Sequence, residues 1–106
     1  MWVFCEDGFF SAVALNKKQV VVRGRFFADL INLLAKLNIK TKIIQNPHRD
    51  YRYRIIVDKT TWGDYLKQAA ERIDYPNFKA TMTDDARHDL YLKIWVALKM
   101  AQDRAA

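Results

Sequence analysis

Two arginine pairs with a single residue between their members, Arg23/Arg25 in "VVRGR" and Arg52/Arg54 in "DYRYRIIVD", are the first residues here that could do chemistry. Residues two apart on a strand project to the same face, so each pair would aim two guanidiniums in one direction. A guanidinium is a planar fork of donors that matches phosphate or carboxylate oxygens two at a time. Like charges set side by side on a sheet destabilise it. Four arginines sharing one face therefore call either for acids of the same chain or for an anionic ligand. Acids at turns and strand ends (Glu6, Asp7, Asp50 and Asp58) are the available internal partners.

A second constellation lies near the C-terminus. Asp84 and His88 are four apart at helical spacing, and Tyr91 and Trp95 continue that side. A histidine oriented by an acid beside a tyrosine could act as a general base, and with arginines to clamp a phosphate that would be phosphodiester cleavage. The same spacing is also that of ordinary helix contacts. Between the two regions, "DYPNFK" (Asp74 to Lys79) combines turn-forming residues with Lys79, which could reach an anion.

The elements that must position these residues follow from periodicity. Residues 1–5 and 8–15 are apolar runs separated by "EDG", and Asp7-Gly8 is a hairpin signal. "NKK" turns the chain into a third strand, "QVVVRGR". Phe26, Phe27, Leu30, Leu33, Leu34 and Leu37 recur at helical spacing, so a helix is expected over 26–37. "KTKIIQ" reads as a fourth strand and "YRYRIIV" as a fifth. Trp62, Tyr65, Leu66, Ala69 and Ile73 mark a second helix, with Asp58, Thr60 or Thr61 as its cap. A third helix, capped by Thr83, carries Leu90, Tyr91, Ile94, Trp95, Ala97, Leu98 and Ala101 on its apolar arc.

The order βββ-α-ββ-α-α predicts one α+β domain over 1–106: a five-stranded, mostly antiparallel sheet with three helices on one face. The helix between the third and fourth strands should make a crossover joining parallel neighbours. Cores take wholly apolar sets, so Val20, Val22 and Gly24 should point inward, as should Tyr51, Tyr53, Ile55 and Val57. Arg23, Arg25, Arg52 and Arg54 would then face out, with Lys42 as a further candidate. Aromatics from the first hairpin, Trp2 and Phe4 or Phe9 and Phe10, could join them. Arginines between aromatics form a platform for stacking bases and holding phosphates. In the competing reading, the arginines lie over the sheet edge and pair with Asp50, Asp58 or helix carboxylates.

Charge placement favours a polyanionic partner. The chain of 106 residues has a net charge of +6, and from Asn16 to Arg54 ten Lys/Arg face two acids, whereas from Lys59 onward eight face seven. One cysteine, Cys5, cannot form an internal disulfide. No basic segment precedes the apolar N-terminus and no uncharged run approaches a membrane span. A cytoplasmic protein without a signal peptide or membrane contact is expected. Two histidines and one cysteine, widely spaced, give no zinc pattern, and no cofactor fingerprint occurs.

The segments "GFFSAVA", "VVRGRFFADL", "DYRYRIIVDKTTW", "IDYPNFK" and "HDLYLKIW" resemble, in order, a small bacterial family of this length with no established activity. The resemblance falls on Arg23, Arg25, Tyr51, Arg54, Asp74, Tyr75, Asn77, Phe78, Lys79, His88, Tyr91 and Trp95, with Gly24 departing from the pattern between the first two arginines. It implies no catalytic assignment. The leading expectation is a small binding module for RNA, single-stranded DNA or a nucleotide, held by Arg23, Arg25, Arg52, Arg54 and Lys79. The alternatives are a phage-type inhibitor with a protein partner or a nucleotide sponge, and a small phosphodiesterase using His88 with Asp84 and Tyr91.

Overall fold

The computed structural model describes residues 1–105. These form two compact units, Met1–Ile73 and a second beginning at Asp74. The first contains strands β1 (Trp2–Cys5), β2 (Gly8–Ala14), β3 (Gln19–Gly24), β4 (Ile44–Gln45) and β5 (Tyr53–Asp58), with helices α1 (Phe27–Leu37) and α2 (Lys59–Glu71). The second contains a short 3-10 helix, Phe78–Thr81, and the long helix α3 (Asp85–Ala105).

The sheet order is β1-β2-β3-β5-β4 and every pairing is antiparallel. This corrects the expected crossover between parallel neighbours. β3 and β4 do run parallel, but β5 lies between them. The expected fourth strand over 40–45 shrinks to two residues at the sheet edge, Ile44–Gln45. β5 instead carries an unbroken apolar set, and Val57 and Ile55 pair directly with Val20 and Val22. Burying that set in mid-sheet outweighs sequential pairing.

The two faces differ in kind. Residues opposite each other on paired strands share a face. Phe10, Ala12, Val20, Val22, Ile55 and Val57 therefore point to one side, where they meet Leu30 and Leu33 of α1 and Trp62 and Tyr65 of α2. Phe10 sets its ring edge-on to both Trp62 and Tyr65, at 6.2 Å from each. α1 ends at Asn38, whose left-handed backbone (φ 53°) is a usual helix stop. α2 begins directly after β5, with Asp58 at the cap position, and Lys59 N donates to Lys18 O at 2.8 Å. α3 is capped by Asp84 rather than by the expected Thr83: the Asp84 carboxylate accepts from Ala86 N at 3.1 Å.

A polar cluster pins the first hairpin to both helices of its unit. Tyr65 Oη donates to Asp7 Oδ2 at 2.6 Å, Arg72 Nη2 donates to the same oxygen at 3.0 Å, and Asn32 Nδ2 donates to Asp7 O at 3.1 Å. Asp29, buried in the first turn of α1, accepts from Phe9 N at 3.1 Å. The Asp29 carboxylate fills the space where a side chain on residue 8 would sit, and φ at Gly8 is +147°, so only glycine fits this turn. Among the described residues no helix is long and apolar enough to cross a membrane.

Candidate anion-binding face of the sheet

The face opposite α1 and α2 is assembled by strand register. Trp2, Ser11, Arg23, Arg54 and Ile44 lie opposite one another on β1, β2, β3, β5 and β4, so one row crosses the whole sheet. Phe4 and Phe9 form the neighbouring row on the hairpin, while Val13, Val21 and Ile56 form an apolar row on the other side. Val21 is 9% exposed even though it points away from the main core.

Arg23 and Arg54 are directly opposed like charges. Arg23 Nη2 donates to Ser11 Oγ at 2.7 Å, and Arg23 Nε is buried with no acceptor among the described residues. Arg54 Nη2 reaches only a backbone carbonyl, that of Tyr51, at 3.4 Å. The Arg54 guanidinium has its pKa lowered, first by burial and then by the positive charges of Arg49 and Arg23. Neither Arg23 nor Arg54 has a carboxylate partner among the described residues. Asp58 is the acid whose register places it on the same face, opposite Gln19. It sits four residues further along β5, roughly 13 Å from Arg54 at the usual rise per residue.

Arg25 behaves differently. Its Nη1 meets Asp50 Oδ1 at 3.1 Å and Asp50 O at 3.0 Å. The Asp50 hydrogen bond raises its pKa, against a smaller opposing effect of burial. So the competing expectation of an internal acid holds at Arg25 and not at Arg23 or Arg54. Arg52 is exposed and precedes β5, so strand geometry does not assign its side chain to this face. Its carbonyl accepts from Asn46 N at 2.8 Å and closes the turn.

Tyr51 corrects the expected face assignment. Alternation places it with the inward set of Tyr53, Ile55 and Val57, but it lies among the arginines, with Arg23 Cζ 4.5 Å and Arg25 Cζ 4.1 Å from its ring centroid. Its ring also meets Phe9 at 6.3 Å, and it is 5% exposed. The reason is that β5 starts at Tyr53; residues 51 and 52 form a bend, and two-residue alternation does not extend through it. Stacking on Tyr51 uses none of the guanidinium's N–H donors itself, so it fixes the plane of Arg23 while Nη2 is held by Ser11. Phe9 is stacked on Phe4 at 4.4 Å and meets Trp2 edge-on at 5.9 Å. Of the two hairpin aromatic pairs considered from sequence, Trp2 and Phe4 are on this face with Phe9, while Phe10 is in the core. Ser11 holds Arg23 on this face, and the loop residue Arg49 lies near enough to Arg54 for its charge to be felt there. Neither was visible in the pattern: serine in an apolar strand carries no signal, and a loop arginine has no periodicity to place it.

In the second unit, Lys79 Nζ sits 4.3 Å over the Trp95 ring and Phe78 stacks on Tyr91 at 5.7 Å. The Asp84 carboxylate is engaged at the helix cap, and the Tyr91 hydroxyl accepts from Arg87 Nη1 at 3.3 Å. The side chain of His88 makes no hydrogen bond to Asp84 or Tyr91 among the described residues; its backbone N bonds Asp84 O within the helix at 2.9 Å. Among the described residues no group of three or more His, Cys, Asp or Glu side chains could hold a metal ion.

Comparison of the chain with protein-family models, curated proteins and solved structures finds no match.

Proposed function

We propose that this protein is a binding module whose open sheet face holds a phosphate-bearing ligand: RNA, single-stranded DNA or a nucleotide. The observation behind the reading is the opposed Arg23–Arg54 pair, with Arg49 nearby and no carboxylate on either arginine among the described residues. Adjacent like charges on paired strands cost stability, and an anion between them reverses the sign of that interaction. Arginine fits this role better than lysine would, because its fork can give two parallel hydrogen bonds to one phosphate. Tyr51 and Ser11 hold Arg23 in place before any ligand arrives, which lowers the ordering cost of binding.

The test is a titration of labelled oligonucleotides and of a nucleotide panel against the wild type, Arg23→Ala and Arg54→Ala, with circular dichroism confirming that the fold is intact. Loss of one hydrogen-bonded charge contact should weaken binding by roughly 5- to 150-fold, the equivalent of 1–3 kcal/mol. Unchanged affinity in both folded variants, or no binding by the wild type at low salt, would reject the reading.

A further inference from the structure

We infer that the ligand is a single-stranded polynucleotide lying across the strands, with one unpaired base stacked on Trp2 and its phosphates on Arg23 and Arg54. This rests on the reading of the arginine face as an anion site and specifies what occupies it. Trp2, Ser11, Arg23 and Arg54 share one cross-strand row on adjacent strands. At a strand spacing of about 4.8 Å, Arg23 lies roughly 10 Å and Arg54 roughly 14 Å from Trp2. A nucleoside monophosphate carries a single phosphate, which can sit between the two arginines but leaves the rest of the row unfilled. A polymer with a phosphate at every residue fills it.

The aromatic surface on this face is unevenly available. Phe9 is stacked on Phe4, and Tyr51 is covered by two guanidiniums, so their rings are already engaged. Trp2 is 70% exposed. An indole at that exposure at the end of a cationic row is suited to stacking one base, an interaction that tolerates any base identity. Duplex is disfavoured because its base faces are occupied by neighbouring pairs. Binding should therefore depend on single-strandedness and length, and only weakly on sequence.

The experiment measures anisotropy of labelled oligo-dT and oligo-U of one, two, four and eight nucleotides, a duplex of the same length, and inorganic polyphosphate of matched charge as competitor. Affinity should climb from one to four nucleotides and then level off, with duplex and polyphosphate at least 10-fold weaker. Trp2→Ala should lower single-strand affinity about 5- to 150-fold, the range set by base–aromatic stacking, while leaving the salt dependence unchanged; Trp2→Phe should recover most of the loss. The tighter of oligo-U and oligo-dT identifies the polymer. Polyphosphate binding as tightly as oligonucleotide, or full affinity in Trp2→Ala, overturns this inference and leaves the anion site standing. No binding of any of these probes overturns both.

Discussion

Arg54 is placed where a residue selected for stability alone would be out of place. It faces Arg23 across the ladder, lies near Arg49, and has no acid within bonding distance among the described residues. Both the burial and the neighbouring cations disfavour its charged form, so its charge works against the folded state at neutral pH. Arg54→Met keeps the length and removes the charge. It should leave the melting temperature unchanged or raise it, by up to about 1 kcal/mol of stability, the size of a directly opposed like-charge pair. Denaturant unfolding checks this, and a clear loss of stability would mean that Arg54 serves the fold instead. Arg23 and Arg54 were legible in the sequence because strict alternation in "QVVVRG" and "YRIIV" leaves only one face for them. Tyr51 was not, because alternation counts fail at a bend. The Arg25–Asp50 pair was legible only as one of two outcomes, since pairing across 25 residues of chain has no local signature.

At the scale of elements, the hairpin β1–β2 is held by Asp7, Tyr65, Arg72 and Asn32 rather than by apolar packing alone. Burial, and next the hydrogen bond to Asp7, raises the Tyr65 pKa above its ordinary value. The sign of the linkage follows. The folded phenol keeps its proton where the unfolded phenol loses it, near pH 10. The stabilisation is fully present below that pH and is lost as pH rises above it. Wild-type stability should fall between pH 9 and 11 with a slope steeper than that of Tyr65→Phe, by up to about 1.4 kcal/mol per pH unit. Tyr65→Phe should itself lose about 1–3 kcal/mol at pH 7, because the buried Asp7 carboxylate loses its shortest hydrogen bond. Parallel pH slopes in the two proteins would remove Tyr65 from this role. The turn signals Asp7-Gly8 and Asn16-Lys17-Lys18 made the first three strands readable. The placement of β5 between β3 and β4 was not, because it is decided by which apolar set is buried centrally, a comparison between distant segments.

At the scale of the molecule, the net charge of +6 is not spread evenly, and its geometry sharpens the asymmetry. Glu6 and Asp7 are engaged by Arg72 at the hairpin, Asp29 binds Phe9 N, and Asp50 is tied to Arg25. Arg23 and Arg54 therefore share the middle of the sheet face opposite α1 and α2, with no acid among the partners the structure gives them, and Arg49 is near enough to add to the positive charge felt by Arg54. Counting charges along the chain revealed the basic half; only the folded register shows which cations converge. A cationic face of this kind binds a polyanion by displacing its condensed counterions, so affinity falls with salt in proportion to the number of phosphates contacted. The most direct measurement is the slope of log K against log[salt] for oligo-dT or oligo-U, in wild type, Arg23→Ala, Arg54→Ala and the double variant. Each single substitution should reduce the magnitude of the slope by about 1 and the double variant by about 2. Slopes that stay equal across the four folded proteins would contradict the assignment of this face as the anion site.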